Sequence, residues 1–138
     1  IVLDTNVLSE LLRALPEPAV VRWTASQALD TLFTTAVTQA EMLYRVKLLA
    51  AGQRRQQLEG ALATYSQKIF LGRVLPFDGD AATAYARIAA ERKRMGRPIS
   101  QCDAQIAAIA HSRGRHLATR NVDDFEGCGL CIVNPWQM

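Results

Sequence analysis

Four acidic places in this chain stand where chemistry could follow: Asp4, Glu41, Asp103 and the adjacent pair Asp123 and Asp124. Three of these regions share one grammar, in which an apolar strand or helix start gives way to a carboxylate near a helix N-terminus. Ile1-Val2-Leu3 ends in Asp4-Thr5-Asn6, Thr38-Gln39-Ala40-Glu41 opens a helical stretch, and Ser100-Gln101-Cys102-Asp103 opens another. Carboxylates gathered in one place repel each other unless a cation neutralises them. Hard oxygen ligands select Mg2+ or Mn2+ over zinc. One or two such ions activate a water and stabilise the leaving oxygen of a phosphodiester. Basic residues nearby would hold a nucleic-acid backbone, and helix N-termini at the same edge would favour phosphate.

A plainer reading competes for each residue. Asp4 or Thr5 can simply cap the helix that follows. Thr38-x-x-Glu41 matches a capping box, and Ser100-x-x-Asp103 is the same pattern with Asp for Glu. Thr5, Asn6 and Ser9 can orient ligands or substrate, or can cap a helix and face solvent. Arg73 and Arg120 lie beside strand ends and can touch phosphate or be ordinary surface charges. Asp78 and Asp80 read as turn residues.

Other chemistries find less support. His111 and His116 lie around a helix-to-strand crossover, away from Asp4, which argues against a nucleophilic triad. Neither a G-x-x-x-x-G-K phosphate loop nor a G-x-G-x-x-G fingerprint is present. An aspartyl-phosphate enzyme would want Asp two residues after the nucleophile, and Asn6 occupies that place. Cys128-x-x-Cys131 has no second pair with which to make a zinc site. With Cys102 the cysteine count is odd, and no secretory signal is visible, so the thiols are expected to be reduced and Cys128 and Cys131 to be packing residues. No apolar run reaches the ~20 residues of a membrane span, and the cytoplasm is the expected compartment. The net charge of +3 and pI near 9.0 are compatible with a polyanionic partner. Arg92, Lys93, Arg94 and Arg97 form the one dense basic run, read as a solvated helix end or as part of such a contact.

Strands are expected at 1–3, 32–34, 72–78, 116–119 and 130–133. Between them, Val7, Leu8, Leu11 and Leu12 have helical spacing, Pro16 and Pro18 divide this helix from a short one carrying Val20, Val21 and Trp23, and Thr38 opens the longest helical region. There Met42, Leu43, Val46 and Leu49 give an apolar face ended by Gly52. A partner helix carries Leu58, Leu62, Tyr65 and Ile69, and the two form a helical hairpin. Residues 81–94 are helical with Ala82, Tyr85, Ile88 and Ala89 inward, and Ser100 opens a last helix closed by Gly114. Alternating strands and helices imply a parallel sheet with right-handed crossovers. The fold class is therefore α/β: one domain over residues 1–138, with a short parallel β-sheet of about five strands flanked by α-helices. In such a sheet, ligands sit outside the carboxyl ends of the strands, where Asp4 falls.

With these residues in order, the chain resembles the PIN domain family, and within it the VapC-type toxins of bacterial toxin–antitoxin pairs, in the FitB-like branch. The carriers are Leu3-Asp4-Thr5-Asn6-Val7-Leu8-Ser9, Thr38-Gln39-Ala40-Glu41, Gly72-Arg73-Val74-Leu75-Pro76-Phe77-Asp78, Ile99-Ser100-Gln101-Cys102-Asp103-Ala104-Gln105-Ile106-Ala107-Ala108, Ala118-Thr119-Arg120-Asn121-Val122-Asp123-Asp124-Phe125 and Val133-Asn134-Pro135-Trp136. Each fragment is short, and their order and spacing along nearly the whole chain make the likeness specific.

The resemblance implies an acidic pocket binding Mg2+ (or Mn2+) and a ribonuclease toxin of a type II system, held inactive by a cognate VapB-like antitoxin. Carried over by position, Asp4, Glu41 and Asp103 match the core acidic residues, with Asp4 and Asp103 as direct metal ligands. Asp124 together with Asn121 fills the fourth place, with Asp123 as its substitute. Glu41 would bind metal or orient water. The resemblance further implies RNA as substrate, a homodimer, and contact with operator DNA only through the antitoxin. The rival reading is a non-catalytic module whose acidic groove docks a basic partner peptide within a DNA-binding regulatory complex.

Overall fold

The computed structural model describes residues 1–138. The apolar start forms β1 (Val2–Leu3), which runs parallel to β4 (Leu117–Ala118), and β4 runs parallel to β5 (Ile132–Val133). A second parallel pair joins β2 (Thr34–Thr35) to β3 (Val74–Leu75). An isolated parallel bridge between Val2 and Phe33 links the two groups: the Leu3 amide donates to the Phe33 carbonyl at 2.8 Å, and the Phe33 amide to that of Ile1 at 2.9 Å. The strands thus stand as three plus two, each only two residues long. The ladders are short because β1 and β2 run almost directly into helices.

Six α-helices cover the strands: α1 (Thr5–Leu11), α2 (Pro18–Ser26), α3 (Ala36–Leu48), α4 (Gln53–Thr64), α5 (Gly79–Arg94) and α6 (Gln101–Ser112). Parallel strands are normally buried on both faces, and successive side chains point to opposite sides. Val2 and Leu117 accordingly enter one core with Ala81, Ile88, Ile106 and Ile109 of α5 and α6. Leu3 and Ala118, one residue on, enter a second core with Val7, Val20, Trp23, Met42 and Leu62 of α1–α4.

Several local expectations are corrected. Thr35, not Thr38, caps α3: its hydroxyl accepts the Thr38 amide at 3.0 Å, so the helix begins two residues before Thr38. Leu43 faces outward at 42% exposure, whereas Met42 and Val46 are buried. Likewise, Ala81, Ala84 and Ile88 form the inner face of α5, and Ala82 is exposed. α3 ends at Leu48, and Gly52 stands at the start of α4, which packs on α3 as the expected hairpin and runs on into a π-helical turn at Tyr65–Ile69. Cys128 is buried in the α5–α6 core, but Cys131 is exposed and so does not pack as expected.

The register of α3 is directly testable. Met42→Ala should lose about 2–4 kcal/mol of stability in urea denaturation, because it removes a buried side chain from the α1–α4 core. Leu43→Ala, on the solvent side, should stay within about 0.5 kcal/mol of the parent.

Candidate active site

Register places the first acid. Leu3 and Ala118 are parallel partners, so the residue after each leaves the sheet at the same edge. Those residues are Asp4 and Thr119, both buried. One Asp4 carboxylate oxygen accepts the Thr5 amide at 2.8 Å, which caps α1, and the other accepts the Thr119 hydroxyl at 2.8 Å. The capping role and a role at the site are therefore held by one side chain together. Thr119 also accepts from the Asn6 side-chain amide at 3.1 Å and from the Asn121 backbone amide at 3.0 Å. With one proton given and two accepted, its hydroxyl is fully used. The Asn6 side-chain oxygen in turn accepts the Arg120 amide at 3.3 Å, so Asn6 latches the turn after β4 to α1.

Glu41 lies on the second turn of α3 and takes no part in capping. Its Oε1 accepts the Thr5 hydroxyl at 2.8 Å. Thr5 Oγ1 is also 3.1 Å from Thr38 Oγ1, and the Thr35 hydroxyl donates to Thr38 at 3.3 Å. A hydroxyl has one proton, and that of Thr5 is given to Glu41, so Thr38 must donate to Thr5. The three hydroxyls thus all point toward the Glu41 carboxylate.

Asp103 enters from α6. Ser100 caps this helix as expected, its hydroxyl accepting the Asp103 amide at 3.2 Å, and the half-buried Asp103 side chain sits in the first turn. Asn121, Asp123 and Asp124 are carried by the turn after β4, which continues as a 3-10 turn at Val122–Phe125. All three are exposed, and with Arg120, Asn134 and Gln137 they line an open hollow of about 520 Å³.

The acids act on one another. Burial pushes Asp4 up to about 6, against the pull of the Thr119 and Thr5 hydrogen bonds, and the charges of Asp103 and Glu41 push it further. Burial also raises Asp103; Ser100 opposes this, Asp124 and Glu41 add to it, and the positive charge of Arg92 opposes it. Asp103 and Glu41 thus act on Asp4, and Asp124 and Glu41 act on Asp103. In the observed arrangement no three His, Cys, Asp or Glu side chains close on a common point at ligand distance. Each Asp4 oxygen accepts one protein hydrogen bond and keeps a lone pair that a cation could use. As a donor set, several hard carboxylate oxygens in mutual repulsion fit a hard divalent ion.

Not every candidate joins the cluster. Arg73 stands before β3, at the opposite end of the strands, and donates to the carbonyls of Leu32, at 2.9 Å, and Ile69. It ties the π-helical turn to the strand layer and is withdrawn from the phosphate-binding candidates. Ser9 is one helical turn beyond Thr5 and lines a separate groove with Arg13, Met42, Arg45 and Val46. Arg120 does sit at the rim, its guanidinium 5.4 Å from the centre of the Trp136 ring. Sequence reasoning passed over Thr119, Thr38 and Arg92 as site residues. Thr119 had a signal: it follows an apolar strand just as Asp4 does.

A raised carboxylate pKa destabilises the ionised fold. The unfolded chain ionises Asp4 near 3.8 and the folded chain near 6, so between these values the fold holds the extra proton. Stability then falls as pH rises through that window, and the loss is complete above about 6. In chelator, Asp4→Asn should gain on the parent by up to about 3 kcal/mol between pH 4 and pH 8, as read from denaturation curves at both values. A difference that does not change with pH would contradict this.

With this geometry in place, comparison with known proteins gives a consistent placement. The family model described as PIN domain matches residues 1–127. The chain is 43% identical to "VapC ribonuclease Y4jK" of Sinorhizobium fredii, covering 99% of this chain and 98% of that protein. It is 38% identical to "Toxin FitB" of Neisseria gonorrhoeae, again over 99% of this chain and 98% of the relative. Among solved structures, the one described as "Structure of FitAB bound to IR36 DNA fragment" superposes with a TM-score of 0.93 at 37% identity, covering 99% of this chain and 96% of that one. The parallel α/β architecture and matches along nearly the full length converge on one conclusion: the chain belongs to the PIN domain family, in its VapC-type, FitB-like branch.

Proposed function

We propose that this protein is a Mg2+- or Mn2+-dependent endoribonuclease, the toxin of a type II toxin–antitoxin pair. One observation carries the reading: Thr5 ties two acids distant in sequence, its amide bound to Asp4 and its hydroxyl to Glu41, at the carboxyl ends of β1 and β2, and the charges of Asp103 and Asp124 act on the same cluster. Kinship to proteins named ribonuclease and toxin supports it.

In this reading Asp4 and Asp103 hold the cation, with Glu41 binding it or orienting water, and Asp124 with Asn121 completing the pocket. Asp123, one residue away on the same turn, is the substitute for Asp124. A bound divalent ion supplies charge neutralisation at the phosphate and lowers the pKa of water. The protein side chains do the rest. Thr5 and Thr119 fix the Glu41 and Asp4 carboxylates through short hydrogen bonds. Asn6 holds the turn after β4 in place. Arg120, at the rim of the hollow beside Asp124, offers a guanidinium to the RNA backbone. The net charge of +3 favours approach of a polyanion even though the pocket itself is acidic.

The partners follow the same reading: a VapB-like antitoxin that neutralises the toxin, a homodimer, and operator DNA contacted through the antitoxin. The FitAB complex with DNA, to which this chain is similar, is the supporting precedent.

The test is to incubate purified protein with total RNA, chelate, then restore with Mn2+ or Mg2+ and map new ends. Cleavage should stop on chelation and return with the ion. Asp4→Ala and Asp103→Asn should each lower cleavage by at least about a hundredfold, on the scale of losing a group used in the chemistry, while circular dichroism stays folded. Full cleavage by either variant would overturn the assignment. Ion-independent failure to cut, with tight binding of an Arg-rich peptide, would leave the docking-module reading in its place.

A further inference from the structure

The basic run at the end of α5 reads from sequence as a solvated helix end or as part of a polyanion contact, and Arg92 is withdrawn from solvent. It is 4% exposed. Its Nε donates to the Arg97 carbonyl at 2.7 Å, and its Nη1 to the carbonyls of Asp124 at 2.7 Å and Glu126 at 3.0 Å, with Cys128 Sγ at 3.6 Å. The chain's ion pairs do not include it. A guanidinium buried among neutral carbonyls and a thiol, with no carboxylate in an ion pair with it, is costly. What it grips is the 3-10 turn that carries Asp124.

The rest of the contact agrees. Gly127 has φ of +80°, and a Cβ there would come 3.3 Å from Met95 Cε and 3.7 Å from Arg92 Cδ, so the turn rests directly on the arginine stem. Arg97 braces the same turn from outside, donating to the Asp123 carbonyl at 3.2 Å and pairing with Glu126 at 3.0 Å. By contrast, neither Asp123 nor Asp124 has a side-chain hydrogen bond or ion pair that would hold it from within.

We propose that Arg92 is a positioning residue for the divalent-cation site: by holding the Asp124 and Glu126 carbonyls, it fixes the turn that brings the Asp124 carboxylate to Asp103. This rests on the cation-binding reading above. The fourth acid is thus set in place by α5, from the side of the sheet opposite α1 and α3. A positive charge that merely stood near the acids would act in the opposite sense. Removing it would strengthen their attraction for a cation, whereas losing the turn weakens it.

The test reads Mn2+ affinity by electron paramagnetic resonance of the free ion, independently of cleavage. The proteins are the parent, Arg92→Met, Arg92→Lys, Asp124→Asn and the Arg92→Met/Asp124→Asn double variant. Arg92→Met should weaken Mn2+ binding by about tenfold or more, as losing a group that orients a ligand does. Asp124→Asn should weaken it comparably, and the double variant should bind no worse than either single one, because both remove the same ligand. Arg92→Lys keeps the charge but cannot span carbonyls on both sides as a planar fork does, so it too should weaken binding. The proposal is overturned if Arg92→Met binds Mn2+ as tightly as the parent or more tightly, or if the Asp124→Asn loss persists in full on the Arg92→Met background. Should Arg92→Met fail to fold, parent-like affinity in Arg92→Lys overturns it. If the parent itself binds no Mn2+, the cation reading falls and this one with it; a parent that binds while Arg92→Met binds equally well defeats only this one.

Discussion

Everything at the site depends on a parallel pairing two residues long. Because Leu3 stands beside Ala118, the chain leaves both strands at the same edge and brings Asp4 against Thr119. That edge is buried, so a carboxylate placed there loses hydration, and this loss is the first cause of its raised pKa. The acid could be kept ionised by a nearby lysine or arginine. The fold instead supplies a hydroxyl and a backbone amide, which orient the carboxylate without cancelling its charge. No lysine or arginine forms an ion pair with it.

The same economy governs Glu41. Thr35, Thr38 and Thr5 form a row of hydroxyls whose protons all run toward its carboxylate. Thr35 sits at the end of β2 and caps α3, so it settles where the helix begins and thereby on which side Glu41 emerges. Capping and site-building are one event in this fold: the group that closes a helix end also aims an acid. Asp4 does the same for α1.

The site is also a meeting of two cores. Asp4 and Glu41 come from elements packed on the α1–α4 side, with Leu3, Val7 and Met42 beneath them. Asp103 comes from α6, on the other face of the sheet with Ile106 and Ile109, and the Asp124 turn is anchored there by the buried Phe125. Acids from the two layers act on one another because both cores are built on the same strands. A change that shifted one helical layer against the other would separate the acids without touching any of them. The buried Arg92 is the counterpart of the threonine row on the α5–α6 side, gripping a backbone turn where the threonines grip side chains.

What the sequence determined by itself was the order of elements and the four acidic places, because both depend on local patterns: apolar runs, helical spacing, and Ser or Asp at helix starts. The likeness to the PIN family rested on the same short fragments in order. What only the tertiary structure decided was which polar residues serve the acids. Thr119 meets Asp4 across a separation of 115 residues, and Thr5 meets Glu41 across 36, distances that no periodicity can carry. Arg73 and Arg92 looked alike as charges on the chain. The structure turns Arg73 to the far end of the strands and buries Arg92 against the turn of Asp124. An arginine's role is set by which carbonyls lie within reach of its fork, and those are fixed only when the strands have paired and the helices have packed on them.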